Sequence, residues 1–279
     1  MAGAAGSAGS AYQLKKEGMD VHRLGNRKNF WTVSREAVDL RRRAAEPVPV
    51  TIEAEPQRLT FELNDTAIIV VDMQNDFCSK GGWVDYIGGD YAVLRKPIEP
   101  LNRLLPALRA HGVPVVWLNW GNRPDRLNVS PSVLHVYNGD GEGRGIGDPL
   151  PENGSRVLEK GSWGAAVVDE LRREPGDIYV DKYRMSGFWD THLDSVLRNM
   201  NIRTLLFAGV NLDQCVMATL QDAVNSGYDA ILLEDCAATN SPSYCADAAI
   251  YNIKQCYGFV SRSERLLDSL SKPCGAGEA

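Results

Sequence analysis

This chain lacks long apolar runs, paired cysteines and an excess of basic charge, and each of these absences excludes a class of protein. No stretch approaches the roughly 20 consecutive apolar residues that a membrane-spanning helix requires. The six cysteines form no CxxC pair and no Cys/His spacing typical of a zinc site or a disulfide framework. The net charge is −6. We therefore expect neither nucleic acid nor an anionic membrane as a partner.

What remains is the composition of a globular protein of 279 residues, of which 44% are hydrophobic and 24% are charged. The first residues, MAGAAGSAGSAYQ, lack the basic segment followed by an apolar segment that marks a secretory signal. Together with the scattered cysteines, this makes a reducing, cytoplasmic location the default expectation.

The N-terminal part differs in composition from the rest. Residues 1–12 are rich in Ala, Gly and Ser, which predicts disorder. Further on, Ser34 is placed to cap a short helix over 35–45, which a following Glu-Pro pair would end.

Two aromatic residues in this part, Phe30 and Trp31, would be unusual in a free tail. The segment is therefore either a solvated face or an arm that packs on a neighbouring subunit, and we favour a packing role. We divide the chain into an N-terminal extension over 1–60 and a domain over 61–272.

Apolar runs alternate with helical periodicity throughout the domain. Predicted strands cover 67–71, 113–119, 177–181, 204–208 and 230–233, and predicted helices cover 98–111, 167–173, 191–200, 215–226 and 244–257. Strands that alternate with helices predict an α/β fold with a doubly wound parallel sheet. In such sheets, sites form beyond the carboxyl ends of the strands. The long irregular stretch over 120–160 is also expected to be functional, and its glycine-rich run over 139–147 is expected to be a flexible lid segment.

Three ionisable residues follow predicted strands: Asp72, Lys182 and, after a short polar turn, Cys215. Asp72 could take the thiol proton and return it to a leaving amine. The Lys182 ammonium and the start of a helix at Cys215 would favour the thiolate. Taken singly, these residues could equally be a turn carboxylate, a solvated cation and a buried structural cysteine. Their common position favours a site with a cysteine nucleophile.

Three motifs carry a resemblance to a known family: IIVVDMQNDF (68–77), DKYRMSGF (181–188) and AGVNLDQCV (208–216). Over roughly 64–262, the chain resembles the isochorismatase-like cysteine hydrolases. The resemblance implies a Rossmann-like three-layer sandwich with Asp72, Lys182 and Cys215 as catalytic triad. It also implies a cis peptide at Val210-Asn211 and an oxyanion hole built from the backbone N–H groups of Asn211 and Cys215.

Within that family the chain is most similar to the ureidoacrylate amidohydrolases of pyrimidine breakdown. The supporting stretches are KGSW (160–163), PGDI (175–178), SGFWDTHLDSVLR (186–198) and NIKQCYGFV (252–260). The chain departs from that subfamily at Phe77 and Met185, where the subfamily pattern has tyrosines, and in the triplet over 212–214. Biuret or an N-carbamoyl amino acid is therefore an alternative substrate to ureidoacrylate.

Five residues are candidates for lining a substrate pocket: Asn75, Phe77, Asn119, Trp120 and Met185. Asn119 and Trp120 end a predicted strand, and Asn75 closely follows Asp72. Each has an ordinary alternative, as a turn residue for Asn75 and as core packing for Asn119 and Trp120.

Nicotinamidases of the same family carry a metal site with two histidines shortly after the first catalytic aspartate. No histidine lies between Asp72 and His111 here, so we expect no metal of that type and no cofactor. The absence of a glycine fingerprint after Val71 disfavours a nicotinamide-dependent oxidoreductase. The competing interpretation is a catalytically idle binding or scaffold member of the fold. The expected partners are a small-molecule substrate and further copies of the chain, as a dimer or tetramer.

Overall fold

A computed structural model describes residues 20–42 and 46–271, so the disorder predicted for 1–12 lies outside the described residues. The strands are β1 His22–Gly25, β2 Phe30–Val33, β3 Val38–Asp39, β4 Pro49–Ile52, β5 Leu59–Glu62, β6 Thr66–Val71, β7 Val115–Trp120, β8 Ile178–Lys182, β9 Thr204–Val210, β10 Asp229–Ala238 and β11 Phe259–Ser261. The helices are α1 Asn75–Cys78, α2 Trp83–Tyr86, α3 Ile98–Ala110, α4 Pro131–Tyr137, α5 Leu193–Asn199, α6 Met217–Asn225, α7 Ser243–Asn252 and α8 Ser263–Leu270.

Six of these strands form the central sheet, in the order β11-β10-β9-β6-β7-β8, with every neighbouring pair parallel. The chain enters this sheet near its middle, at β6. It continues to one edge through β7 and β8, then returns to the middle at β9 and continues to the other edge through β10 and β11. Because such crossovers are right-handed, the change of direction places helices on both faces. The predicted doubly wound α/β fold is confirmed.

The direction changes between β6 and β9, and this places the candidate site. Every residue of β6, β7 and β9 is buried. Their unbroken apolar runs are what a strand covered on both faces requires. The carboxyl ends of two strands that diverge in direction leave a crevice between their loops. Asp72 and Asn211 are the first residues beyond β6 and β9, and they lie at this crevice.

Strands also occupy much of the part predicted to be an extension. β1, β2 and β3 form a small antiparallel sheet, and β4 pairs with β5 in a hairpin. The hairpin contributes Val50, Ile52 and Phe61 to the main hydrophobic core. Residues 53–55 then cover the outer edge of β11, where Glu55 and Val260 exchange two backbone hydrogen bonds. The packed core therefore includes residues before 61.

The helix predicted over 35–45 is wrong for the residues that the structure describes. The Ser34 hydroxyl accepts hydrogen bonds from the N–H groups of Glu36 and Ala37, which closes a tight turn. Val38 then pairs with Val33 in an antiparallel ladder. Serine favours such turns as readily as helix caps, and here the strand partner decides the outcome.

The helix predicted over 167–173 is also wrong. Val167 forms an isolated bridge with Gln74, and the Val168 N–H donates to the Met73 carbonyl at 3.0 Å. The segment is held extended against the backbone that follows β6, a partner distant in sequence. None of the helices among the described residues is long and apolar enough to cross a membrane.

Candidate active site

Asp72 is the first residue after β6 and takes a left-handed conformation, with φ 51°. Its backbone N–H donates to the Leu118 carbonyl of β7, and its side chain turns into the crevice as the ladder ends. The side chain is 1% exposed. One carboxylate oxygen, Oδ1, accepts a hydrogen bond from the Trp120 N–H at 3.2 Å. The other, Oδ2, lies 2.9 Å from the Lys182 ammonium.

Lys182 ends β8 and is paired in register with Trp120 of β7, so the two side chains share one face of the sheet. Its Nζ lies 3.3 Å from Cys215 Sγ and 3.2 Å from the Arg184 carbonyl oxygen. The ammonium also sits 3.9 Å from the centre of the Trp120 ring, in cation–π geometry. Lys182 is fully buried, and each of its neighbours is a group that stabilises a cation.

The sequence predicted that Cys215 is the first residue of a helix, and this prediction is wrong. Helical structure begins at Leu212 with a π-helical turn to Val216 and continues into α6, so the polar residues before the cysteine are themselves helical. The first bonds of this turn run from the Gln214 and Val216 N–H groups to the Asn211 carbonyl. Cys215 remains within this first turn. The Val210-Asn211 peptide is cis, as the family resemblance implies.

Burial governs the protonation of the site when no substrate is present. It raises the pKa of Cys215 to about 12, because the cost of burying a thiolate outweighs the favourable charge of Lys182, and Asp72 adds to the rise. Lys182 does lower the pKa of the thiol, as expected, but burial outweighs this effect. Burial also raises the pKa of Asp72, against the opposing effects of Lys182, Cys215 and the Trp120 N–H. Cys215 is a thiol at rest and needs a base.

Of the five residues predicted to line a pocket, Trp120 and Met185 contact the triad residues. The Met185 sulfur lies 3.8 Å from Cys215 Sγ. The Trp120 backbone is clamped by the buried side chain of Gln74, whose amide oxygen accepts from the Trp120 N–H at 2.9 Å. The amide nitrogen of Gln74 donates to the Trp120 carbonyl at 2.8 Å. This clamp holds Trp120 in place over Lys182.

The other three predicted lining residues have different surroundings. The Asn75 amide nitrogen donates to the Trp163 carbonyl at 2.9 Å and its oxygen accepts from the Ser79 hydroxyl at 2.8 Å, so its side chain supports local structure. Phe77 belongs to the hydrophobic core. Asn119 is buried, and its side-chain oxygen has no hydrogen-bond partner. Because neighbouring strand residues alternate between faces, its side chain leaves β7 on the opposite face from that of Trp120.

Sequence reasoning missed Tyr137, the last residue of α4. Its ring packs against Trp120 with centroids 5.6 Å apart and against Trp83 at 4.7 Å. Burial raises the pKa of Tyr137 well above its usual value, and the charges of Cys215 and Asp72 add to the rise. The phenol therefore lies in the same buried environment as the triad. Tyr137 falls in the irregular stretch, where neither periodicity nor a strand end marks it.

The long segment over 121–160 is fastened above the site at several points. The Trp83 indole N–H donates to the Arg144 carbonyl at 2.9 Å. The Asn153 amide donates to the Gly81 carbonyl at 2.9 Å, and the Leu158 N–H donates to Asp76 at 2.7 Å. The segment is thus an ordered cover, and Tyr137 is the residue through which it packs on Trp120.

Two of the histidines lie at helix ends. His111 meets the Ala107 carbonyl through Nδ1 at 2.9 Å at the end of α3, and His192 precedes α5. Within residues 20–42 and 46–271, no three His, Cys, Asp or Glu side chains are grouped closely enough to hold a metal ion.

The family model for the isochorismatase domain matches residues 66–265. The chain therefore belongs to the isochorismatase family, which agrees with its doubly wound parallel sheet. It is 40% identical over 216 residues to ureidoacrylate amidohydrolase RutB of Methylorubrum extorquens, a match that covers 76% of this chain and 85% of the relative. It is 38% identical over 226 residues to RutB of Cronobacter turicensis, covering 80% and 95%.

Solved structures share the fold. N-carbamoylsarcosine amidase from Thermoplasma acidophilum is similar with a TM-score of 0.55 at 29% identity, and the match covers 72% of this chain and 97% of that one. A cysteine hydrolase from Pseudomonas syringae pv. phaseolicola has a TM-score of 0.63 at 24% identity, over 75% and 94% of the two chains. At that identity the second likeness supports the fold alone.

Proposed function

We propose that this chain is a cysteine-dependent amidohydrolase that cleaves a C–N bond of a small ureide of the ureidoacrylate type. One observation carries the proposal. The ammonium of Lys182 lies within 3.3 Å of the sulfur of Cys215 and 2.9 Å of the Asp72 carboxylate, in a buried site at the switch point of the sheet. The relatives named as ureidoacrylate amidohydrolases support the substrate class.

In the first step, the Cys215 proton moves to Asp72 as the sulfur attacks the planar carbonyl carbon. The elevated pKa of the thiol requires this coupling, because a free thiolate is scarce at neutral pH. The carbonyl π electrons move to oxygen, and the oxyanion accepts hydrogen bonds from the backbone N–H groups of Asn211 and Cys215. Lys182 keeps its positive charge beside the carboxyl and the sulfur throughout.

In the second step, the tetrahedral intermediate collapses and the C–N bond breaks. Protonated Asp72 gives its proton to the departing nitrogen, which leaves as a neutral amine or ammonia. The carbonyl carbon stays on sulfur as a thioester-like intermediate. Water then loses a proton to Asp72 and adds to that carbon, and the C–S bond breaks to restore the Cys215 thiol. No redox change occurs, and the proton that Asp72 accepts is returned in each half-reaction.

A second substrate class is favoured by a specific observation. Phe77 and Met185 stand where the subfamily pattern has tyrosines, and neither can donate a hydrogen bond to a carboxylate. The fold is also similar to N-carbamoylsarcosine amidase at 29% identity. Biuret and N-carbamoyl amino acids are therefore the alternative substrates to test.

The test is hydrolysis and covalent trapping by the purified full-length chain. Ureidoacrylate, biuret, an N-carbamoyl amino acid and a simple amide are screened for release of ammonia or carbamate. Intact-mass spectrometry then looks for an acyl or carbamoyl adduct, which Cys215→Ala must abolish and Cys256→Ala must keep, since Cys256 is an exposed free cysteine. A wild-type chain that shows neither turnover nor an adduct with any of these compounds would be an idle binding member instead.

We also infer a reducing location, consistent with the cytoplasm, because a nucleophilic thiol must stay reduced. All five cysteines of the described residues are free. A homo-oligomer is supported by the antiparallel sheet of β1, β2 and β3, whose Leu24 and Val38 side chains are more than half exposed. Deleting residues 1–45 should lower the native mass measured by light scattering, and an unchanged mass would remove this sheet from the interface.

A further inference from the structure

Two hydrogen-bond donors beside the triad have no acceptor. The Trp120 indole nitrogen is buried, in a side chain 1% exposed, and makes no hydrogen bond. The Tyr137 hydroxyl makes no hydrogen bond with the described residues either, but it keeps some contact with solvent. Buried polar groups of proteins are almost always paired, so the unpaired Trp120 donor beside the reactive site indicates a partner that is absent from the protein chain itself.

The two donors belong to one aromatic cluster that reaches the nucleophile. The Tyr137 ring meets the Trp120 ring nearly edge-on, with an interplanar angle of 73°. The Trp120 ring in turn carries the Lys182 ammonium on its face, and that ammonium contacts Cys215. The donors therefore lie next to the point where a substrate carbonyl must sit.

Other residues in this aromatic cluster have their polar atoms satisfied, which singles out this pair. The indole N–H of Trp83, which packs on the other side of Tyr137, donates to the Arg144 carbonyl at 2.9 Å. The backbone N–H and C=O of Trp120 are both bonded to Gln74. Within this cluster, the side-chain donors of Trp120 and Tyr137 are left without a hydrogen-bond partner among the described residues.

We propose that Trp120 Nε1–H and the Tyr137 hydroxyl form a two-donor subsite for the second planar acceptor group of the substrate, the one not attacked by Cys215. This inference rests on the proposed hydrolase function of the same site. The acceptor is a carbonyl or carboxylate attached through the scissile nitrogen. In ureidoacrylate it would be the terminal carboxylate, and in biuret it would be the second carbonyl. A simple amide has no such group.

This subsite explains how the chain can recognise a ureide without the tyrosines that it lacks at positions 77 and 185. The donors now come from β7 and from the covering segment. Their rings are flat and apolar, which suits a planar conjugated substrate.

The test uses Tyr137→Phe and Trp120→Phe, each of which removes one donor and keeps an aromatic ring. Tyr228→Phe is the matched control, because its hydroxyl is bonded to Asp194 away from the site. Values of kcat and KM are measured for ureidoacrylate and biuret. Loss of a hydrogen bond to a neutral carbonyl predicts a rise in KM of about threefold to tenfold, and loss of one to a carboxylate predicts about tenfold to a hundredfold. The larger effect therefore identifies which acceptor the subsite holds.

Binding is measured separately from turnover, by calorimetry of ureidoacrylate and biuret with Cys215→Ala alone and combined with each donor variant. Weaker binding in both donor variants, with an unchanged pH profile of Cys215 alkylation in the active background, supports the subsite. Unchanged KM and unchanged binding in both variants overturn it. If the wild type hydrolyses neither compound, the proposed function fails. In that case calorimetry still tests the subsite, because the absence of saturable binding of both compounds to Cys215→Ala would overturn the subsite as well.

Discussion

The Lys182 ammonium lies 2.9 Å from the Asp72 carboxylate, and neither side chain has contact with solvent. Two charges buried at this separation compensate each other, whereas either one alone would be strongly unfavourable. The pair therefore holds three strand ends together, since Asp72 follows β6, Lys182 ends β8, and the ammonium also contacts Cys215 after β9. The chemistry and the folding of the site depend on the same contact.

Lys182→Met should consequently destabilise the protein by about 3–5 kcal/mol, because it leaves the buried Asp72 carboxylate without an opposite charge. The double variant Asp72→Asn/Lys182→Met should recover much of that loss, since no charge is left unpaired. Urea unfolding followed by circular dichroism measures the free energies. Strict additivity of the two single changes would show that the pair is not coupled.

Asp72→Asn should make the Cys215 thiol easier to alkylate and at the same time abolish hydrolysis. The Asp72 charge raises the pKa of Cys215 and the Lys182 charge lowers it. Removing the carboxylate should therefore shift the midpoint of thiol alkylation to lower pH, while hydrolysis is lost because no group carries the proton to the leaving nitrogen. Iodoacetamide labelling followed by mass spectrometry of the Cys215 peptide, against pH, gives the midpoint.

Lys182→Met is the companion variant for that experiment, and its alkylation midpoint should move to higher pH than in the wild type. Cys256→Ala serves as the common background, so that an exposed thiol does not consume the reagent. If Asp72→Asn instead slowed alkylation at every pH, the carboxylate would be acting on the thiol as a base even without substrate.

Asp76 should make the protein less stable as the pH rises from about 4 to about 6. Burial raises the pKa of this carboxyl from 3.8 to about 6, against hydrogen bonds from the Leu158 and Trp83 N–H groups. The folded state then holds a proton that the unfolded state has released, so stability falls through this window by up to about 2–3 kcal/mol. Below pH 4 both states are protonated, and the contribution disappears.

Asp76→Asn tests this linkage, because its amide oxygen can still accept from Leu158. Urea unfolding at pH 4, 5, 6 and 7 gives the stability profile of each protein. The difference between wild type and variant should change across the window and level off above it. A constant difference at all four pH values would mean that Asp76 titrates normally in the folded protein.

The sequence was informative where the signal is local. Unbroken apolar runs predicted β6 and β9, and the rule that sites follow strand ends selected Asp72, Lys182 and Cys215 before any contact between them was known. Tyr137 could not be found in this way, because its role depends on packing against Trp120 from a segment without periodicity. Its signal, an aromatic residue within a long irregular stretch, does not specify a partner.

Errors arose where a partner distant in sequence decides the local structure. Residues 167–173 have helical composition, yet Val168 is bonded to Met73 across the chain. β10 runs on through two acidic residues to Ala238, because it pairs with β9 again at Ala237 and Ala238 after an interruption in the register. The three-residue β11 is too short to be recognised by alternation. The secondary-structure propensity of a segment predicts its structure poorly wherever such tertiary contacts compete with it.

Thr219→Val should loosen the connection between the nucleophile and the segment after β8. The buried Thr219 hydroxyl donates to the Cys215 carbonyl at 2.7 Å and accepts from the Gly187 N–H at 3.1 Å. Valine keeps the shape but leaves both backbone groups unpaired, which should cost about 1–3 kcal/mol. Thermal unfolding measures the loss. Thr51→Val, whose hydroxyl meets Thr60 near the surface, should change stability by less than a third as much. Equal losses would mean that the Thr219 bonds are replaced by water.

Gly209→Ala should be among the most damaging changes directly beneath the site. A Cβ at this position would lie 2.0 Å from the Val71 carbonyl oxygen, and the residue has a φ of 107° that disfavours a side chain. β9 and β6 would have to separate just before Asp72, which would also lengthen the contacts of the triad. Gly227→Ala is the matched control, with a φ of 91° but nothing within 4 Å of the added carbon. We expect the control to lose stability through backbone strain alone and to keep its KM and kcat, whereas Gly209→Ala should lose several kcal/mol more and most of its activity. Similar unfolding free energies for the two variants would show that backbone conformation, and not the close approach of the two strands, sets the cost.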